Sequence, residues 1–148
     1  MALKEYVKKR NLKISKEPKA KVRFSGKNIF VIHEHHARNL HWDLRLEMDG
    51  VLKSWAVPKS PPLSKGTKRL AIQVEDHPLA YASFHGVIPE GNYGAGKVII
   101  WDKGKYELIE KTSTKIIFEL HGKKLKGTYC LIKTSYGGNK KGWLFFKV

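Results

Sequence analysis

The chain has 148 residues and carries 29 Lys and Arg against 13 Asp and Glu, a formal net charge of +16. An excess this large on what reads as one domain favours a polyanionic partner, most simply nucleic acid. The single cysteine, Cys130, excludes an intrachain disulfide, and no apolar run is long enough to span a membrane.

Residues 1–21 are rich in Lys and poor in core residues. They read as a basic N-terminal arm, either mobile or carrying a short helix over residues 3–10 laid on the domain. Pro18 stops any helical period. Nothing there resembles the apolar core of a signal peptide, so the expectation is a soluble, cytoplasmic, nucleoid-associated monomer. Residues 22–148 read as a single domain.

From Asn28 onward the pattern is one of short strands bounded by Gly, Pro and Asn. Residues 28–34 form the first. A turn over 36–39 leads to a strand at 41–48, and Asp49-Gly50 is a two-residue hairpin signal returning the chain through 51–57. That turn sets the register: Leu44 opposite Trp55, Arg45 opposite Ser54, Asp43 opposite Ala56. Further strands are expected at 69–75, 97–102, 104–109, 115–120, 126–133 and 142–148. The loop 58–68 is Pro- and Lys-rich, and residues 76–96 read as mostly irregular. Roughly nine strands and few helices predict an all-β, mainly antiparallel fold, a closed or nearly closed β-barrel.

The chemistry concentrates in His33–Glu47, HEHHARNLHWDLRLE, where four of the seven histidines fall. Strand alternation puts His41, Asp43, Arg45 and Glu47 on one face and Trp42, Leu44, Leu46 and Met48 on the other. His35, His41 and Asp43 form a two-imidazole, one-carboxylate set suited to a first-row divalent ion with open positions. Arg45 beside it suits an anion such as phosphate. His33 and His36 read as supporting or solvated. His77, fixed at a strand end by Pro78, is placed as an acid or phosphate donor, with Tyr81 adding a hydrogen bond. Lys59 and Arg69 flank these strands and could track a nucleic-acid backbone. The segment 89–96, PEGNYGAG, tempts as a phosphate loop. A β-branched run follows it, so it reads as a tight turn over the barrel.

These stretches carry a likeness. HHARNLHWDLRLEMDGVLKSWAVPKSP and VEDHPLAYASFHGVIPEGNYGAGKVIIWDKG closely resemble the 3′-phosphoesterase domain of bacterial DNA ligase D. The resemblance spans about residues 30–104 and continues more weakly to the C-terminal Gly-Trp-Leu-Phe. It implies a compact β-barrel with its site in a groove. It also implies manganese-dependent removal of 3′-terminal ribonucleosides and 3′-phosphates from DNA primer-templates or break ends. By resemblance, His35, His41 and Asp43 match the metal ligands and Arg45 and His77 the phosphate-binding pair. Tyr81 and Glu75 match further functional positions, and Lys59 and Arg69 match supporting basic residues. Trp42 and Leu44 depart from the Tyr and Phe usual there. Both face the apolar side, so the site is expected to survive. With no ligase or polymerase module in the sequence, the expectation is a free-standing member serving a separate ligase and polymerase.

Two other classes compete on the residues alone. A non-catalytic basic nucleic-acid-binding β-barrel explains the charge but not the His-Asp-Arg row. A non-haem iron oxygenase uses the same ligand set but gives no reason for so basic a surface.

Overall fold

The computed structural model describes residues 3–11, 16–22, 26–135, 138 and 140–148. Helix α1 is Lys4–Lys8 and a 3-10 helix spans Leu79–Ser83; the strands are β1 Ile29–His36, β2 Leu40–Met48, β3 Val51–Val57, β4 Lys68–Pro78, β5 Gly86–Ile88, β6 Gly96–Lys111, β7 Lys115–His121, β8 Lys126–Lys133 and β9 Gly142–Lys147. They pair in the order β1-β2-β3-β4-β9-β8-β7-β6, and a β1–β6 pairing closes the ring. The result is a closed barrel of 8 strands with β5 added outside it. Every strand pairing is antiparallel. No helix among the described residues is long and apolar enough to cross a membrane.

The β2–β3 hairpin has the expected register, with Leu44 opposite Trp55, Arg45 opposite Ser54 and Asp43 opposite Ala56. Its turn residues Asp49 and Gly50 both have positive φ, 54° and 79°. Such a turn follows the right-handed twist of the strands, and Gly at the second position takes it without steric cost.

Three expectations are revised. The strands read at 97–102 and 104–109 are one 16-residue strand, β6, because the ladder to β1 continues through Gly104. One edge of β6 serves β1 while the other serves β5 and then β7. The region 76–96 is less irregular than expected, holding the end of β4, the 3-10 helix and β5. β4 runs on to Pro78, so His77 is a strand residue paired opposite Leu52.

The barrel is filled by one cluster that includes Phe30, Ile32, Leu44, Leu46, Trp55, Phe118, Leu131 and Phe145, with Trp42 packed against it. A second, smaller cluster joins Leu3, Tyr6, Val51, Leu52, Leu79 and Tyr81. Within the N-terminal 21 residues, α1 therefore lies on the domain, with Leu3 and Tyr6 fully buried. The Tyr6 hydroxyl donates to the Pro18 carbonyl, which ties the following segment down as well. This second layer roofs the polar side of β2, β3 and β4. A strand face that alternation alone would send to water is thereby buried.

Candidate metal and phosphate site

The site starts from strand pairing. In the β1–β2 ladder His35 lies opposite His41, and His33 opposite Asp43. These side chains leave the sheet on the face away from the barrel core, and their ligating atoms, one each from His35, His41 and Asp43, lie within 4.8 Å of one another. Both imidazoles have their outer nitrogen committed. His35 Nε2 donates to the Gly94 carbonyl at 2.6 Å, and His41 Nδ1 donates to the Asn39 carbonyl at 2.9 Å. A carbonyl only accepts, so these contacts fix the tautomers. The lone pairs left on His35 Nδ1 and His41 Nε2 then face Asp43 Oδ2 at 3.6 and 3.3 Å. Three electron-rich atoms converging this way repel one another unless a cation or a proton lies between them. Imidazole nitrogen and carboxylate oxygen suit a first-row divalent metal, so the residues fit the ion that the sequence implied.

Electrostatics favour an ionised Asp43. Burial alone would raise its carboxyl, but the Arg45 charge and the contacts from His35 and His41 outweigh that and hold it well below the usual range. Arg45 Nη2 lies 3.3 Å from Asp43 Oδ2. For His41, burial pulls downward, and the hydrogen bond and charge of Asp43 leave a net upward shift.

Arg45 is held on its other side by His33, whose Nδ1 accepts from Arg45 Nε at 3.2 Å while Nε2 donates to the Phe84 carbonyl at 2.9 Å. Burial and then the Arg45 charge push His33 down to about 3, so it is a neutral strut. Arg45 Nη1 is 3.1 Å from His77 Nδ1, and Arg10 Nη2 is 3.1 Å from His77 Nε2. Burial, then Arg45 and Arg10, hold His77 well below the ordinary imidazole value. A neutral ring has only one acceptor nitrogen, so it can satisfy only one of the two guanidinium groups. His77 Nδ1 also lies 2.9 Å from the Glu75 carbonyl, which only accepts, so Nδ1 carries the proton, Nε2 accepts from Arg10, and Arg45 Nη1 faces an N–H and can turn to an anion. Ser54 and Ala56, opposite the polar row, are small and leave room over it.

Arg10 comes from the segment read as an arm, and the sequence analysis did not single it out. Its Nε donates to Glu17 at 2.8 Å and its Nη1 to Glu75 at 2.8 Å, and its guanidinium stacks 4.2 Å over the Tyr6 ring. Tyr81 donates its hydroxyl to the same Glu17 oxygen at 2.7 Å, and its ring lies 4.9 Å from the Arg45 guanidinium. Glu75 and Tyr81 thus orient the two arginines. The sequence signal for Arg10 and Glu17 was indirect: apolar residues such as Leu3 and Tyr6 set in a lysine-rich stretch.

These groups share a cavity of about 260 Å³ lined by Arg10, His35, His41, Asp43, Arg45, Glu75, His77 and Tyr81, together with Ile88, Tyr93 and Gly94. Lys59 and Arg69 do not line it. Lys59 is exposed, and Arg69 Nε donates to the Ser60 carbonyl at 2.8 Å, bracing the loop after β3. A second His-carboxylate group, Glu107, Glu119 and His121, brings its ligating atoms equally close but lies on the solvent-facing β6–β7 wall.

The pattern of the DNA Ligase D 3'-phosphoesterase domain matches residues 33–133. The chain is 46% identical over 98% of its length to "Multifunctional non-homologous end joining protein LigD" of Pseudomonas aeruginosa, covering 18% of that protein. It is 52% identical over 80% of its length to the protein of the same name from Mycobacterium bovis, covering 16% of it. The Mycolicibacterium smegmatis counterpart is 47% identical over 86% of the chain, with 18% covered. The chain spans less than a fifth of these curated relatives, and the family pattern covers its residues 33–133: it belongs to the DNA ligase D 3′-phosphoesterase domain family.

Proposed function

We propose that this protein is a metal-dependent hydrolase that trims the 3′ ends of DNA at breaks. It removes a terminal ribonucleoside and then the remaining 3′-phosphate to leave a 3′-hydroxyl. The observation that carries this reading is the shared cavity, in which three metal donors lie beside two arginines and a neutral histidine. Family membership and the +16 charge support DNA as the substrate.

His35, His41 and Asp43 would hold the ion, manganese or another first-row divalent metal. When bound, it supplies Lewis-acid polarisation of a phosphate oxygen. The chain's own residues supply the rest. Arg45 and Arg10 stabilise charge on the phosphoryl oxygens from two sides. His33, Glu17, Glu75 and Tyr81 hold those guanidinium groups in place, so little reorganisation accompanies the reaction. His77 stays a neutral ring, because burial and its two cationic neighbours disfavour the imidazolium; its Nδ1–H donates to the Glu75 carbonyl and its Nε2 accepts from Arg10, so it sets the Arg10 guanidinium against the phosphate. In the first step water adds to phosphorus and the bond to the 5′ oxygen of the terminal ribonucleoside breaks. In the second, water adds again and the bond to the DNA 3′ oxygen breaks, releasing inorganic phosphate. Each departing oxygen leaves with a proton derived from the attacking water. The 3′-hydroxyl is the group that a polymerase or ligase requires, so the partners this reading implies are a DNA ligase and a polymerase.

The test uses two primer-templates, one ending in a single ribonucleotide and one in a 3′-phosphate. Each is incubated with protein and manganese, with an EDTA control, and resolved on a denaturing gel. Metal-dependent conversion of both to a 3′-hydroxyl is expected. Salt-sensitive binding without product, across several divalent metals, would instead identify a non-catalytic binding barrel.

A further inference from the structure

We propose that Tyr93 is a stacking platform for the nucleobase that adjoins the scissile phosphate. The inference rests on the phosphoesterase reading of the site and assigns a specificity contact to the Pro89–Gly96 segment.

Tyr93 stands on the loop between β5 and β6 and lines the cavity, yet 47% of its surface is exposed. The other tyrosine lining the cavity, Tyr81, is buried at 2% with its hydroxyl committed to Glu17. Tyr93 is therefore the lining ring with a large area free for contact. Its distance from the chemistry is set by its neighbour. The Gly94 carbonyl accepts from His35 Nε2 at 2.6 Å, and a Cβ at Gly94 would come within 3.2 Å of the same imidazole. The residue that follows Tyr93 thus fixes a metal-ligand tautomer, and the Tyr93 ring lines the same cavity.

The surroundings suit a nucleotide. Lys9 Nζ and the Arg10 guanidinium lie 5.0 and 5.3 Å from the Tyr93 ring centroid. An aromatic surface flanked by cations and adjoining a phosphate site is the arrangement by which single-stranded nucleic acid is gripped, base on ring and phosphate on cation. Stacking is tolerant of base identity, as trimming of arbitrary 3′ ends would require.

A substrate-side cycle tests this. Three strands are used: one ending in an ordinary ribonucleoside, one with an abasic ribose at that terminus, and one with an abasic penultimate nucleotide. kcat/KM is measured for the wild type, Tyr93→Phe and Tyr93→Ala, with manganese affinity by calorimetry. Tyr93→Ala is expected to lose about tenfold on the ordinary strand. Tyr93→Phe should match the wild type, manganese affinity should be unchanged in both, and the Ala penalty should vanish on the abasic strand that lacks the stacked base. Which abasic strand does so identifies the base. Equal rates for Tyr93→Ala and wild type on the ordinary strand overturn the proposal. So does a penalty that persists on both abasic strands, or one matched by lost manganese affinity, since either assigns Tyr93 to supporting Arg10 or the loop. A wild type that trims no strand would bring down the phosphoesterase reading itself.

Discussion

Two aspartates, Asp43 and Asp102, are each 4% exposed, and they are buried for opposite purposes. Asp102, on β6, accepts from four backbone N–H groups: Lys103 and Lys123 at 2.9 Å, Lys124 at 3.2 Å and Leu125 at 2.8 Å. Its lone pairs are saturated by main chain, and it pins the β7–β8 turn to the barrel. Asp43 receives side-chain contacts from two imidazoles and a guanidinium. The first carboxylate is satisfied by the fold alone. The second is satisfied by groups that can bind something else, and that is the physical mark of a site.

Substitution separates the two roles. Asp43→Ala should lower 3′-end trimming by roughly a hundredfold or more and abolish the manganese binding isotherm, with the far-UV circular dichroism spectrum of the barrel retained. Normal turnover in this variant would remove Asp43 from the chemistry and dissolve the contrast. Asp102→Ala removes the acceptor of four backbone N–H groups, that of Leu125 in a fully buried bond, and should cost about 1–3 kcal/mol of stability by denaturant unfolding. Its specific activity per folded molecule should equal that of the wild type. A catalytic defect at full folding would mean that the β7–β8 end communicates with the site.

The same contrast explains what could be read from the sequence. The His41-Asp43-Arg45 row was legible because alternation is local, and the Asp49-Gly50 turn fixed which small residues face it. His33 was visible as a face-mate of His35, but its task of bracing Arg45 depends on the Phe84 carbonyl, 51 residues away. The Pro89–Gly96 segment was read as a plain turn because no helix follows it. Its tie to the metal ligands is a single carbonyl, which no side-chain pattern reveals. Arg10 was the hardest to see. Its partner Glu75 lies 65 residues away, and the segment carrying it has the composition of a solvated tail. Asp102 was equally silent, since four backbone donors leave no trace in residue type.

Arg10 also makes the clamp between the N-terminal segment and β4 sensitive to acid. Burial would raise the Glu75 carboxyl, but the hydrogen bond and charge of Arg10, helped by Lys9, outweigh it and the net shift is below the ordinary 4.5. A carboxyl with a depressed folded-state pKa contributes stability that is fully present above its unfolded value and is lost as the pH falls through its folded value. The clamp should therefore be intact at neutral pH, stay intact down to about the ordinary carboxylate value, and release below it. Arg10→Ala removes the main source of the depression. Its melting temperature should lie below that of the wild type at pH 7, and the gap should narrow as the pH is lowered past 4.5. A gap that stays constant or widens with acid would show that Arg10 stabilises the fold through its stacking on Tyr6, with the Glu75 pair contributing nothing. In that case the N-terminal segment would be held, as Asp102 holds its turn, by contacts indifferent to the chemistry of the site.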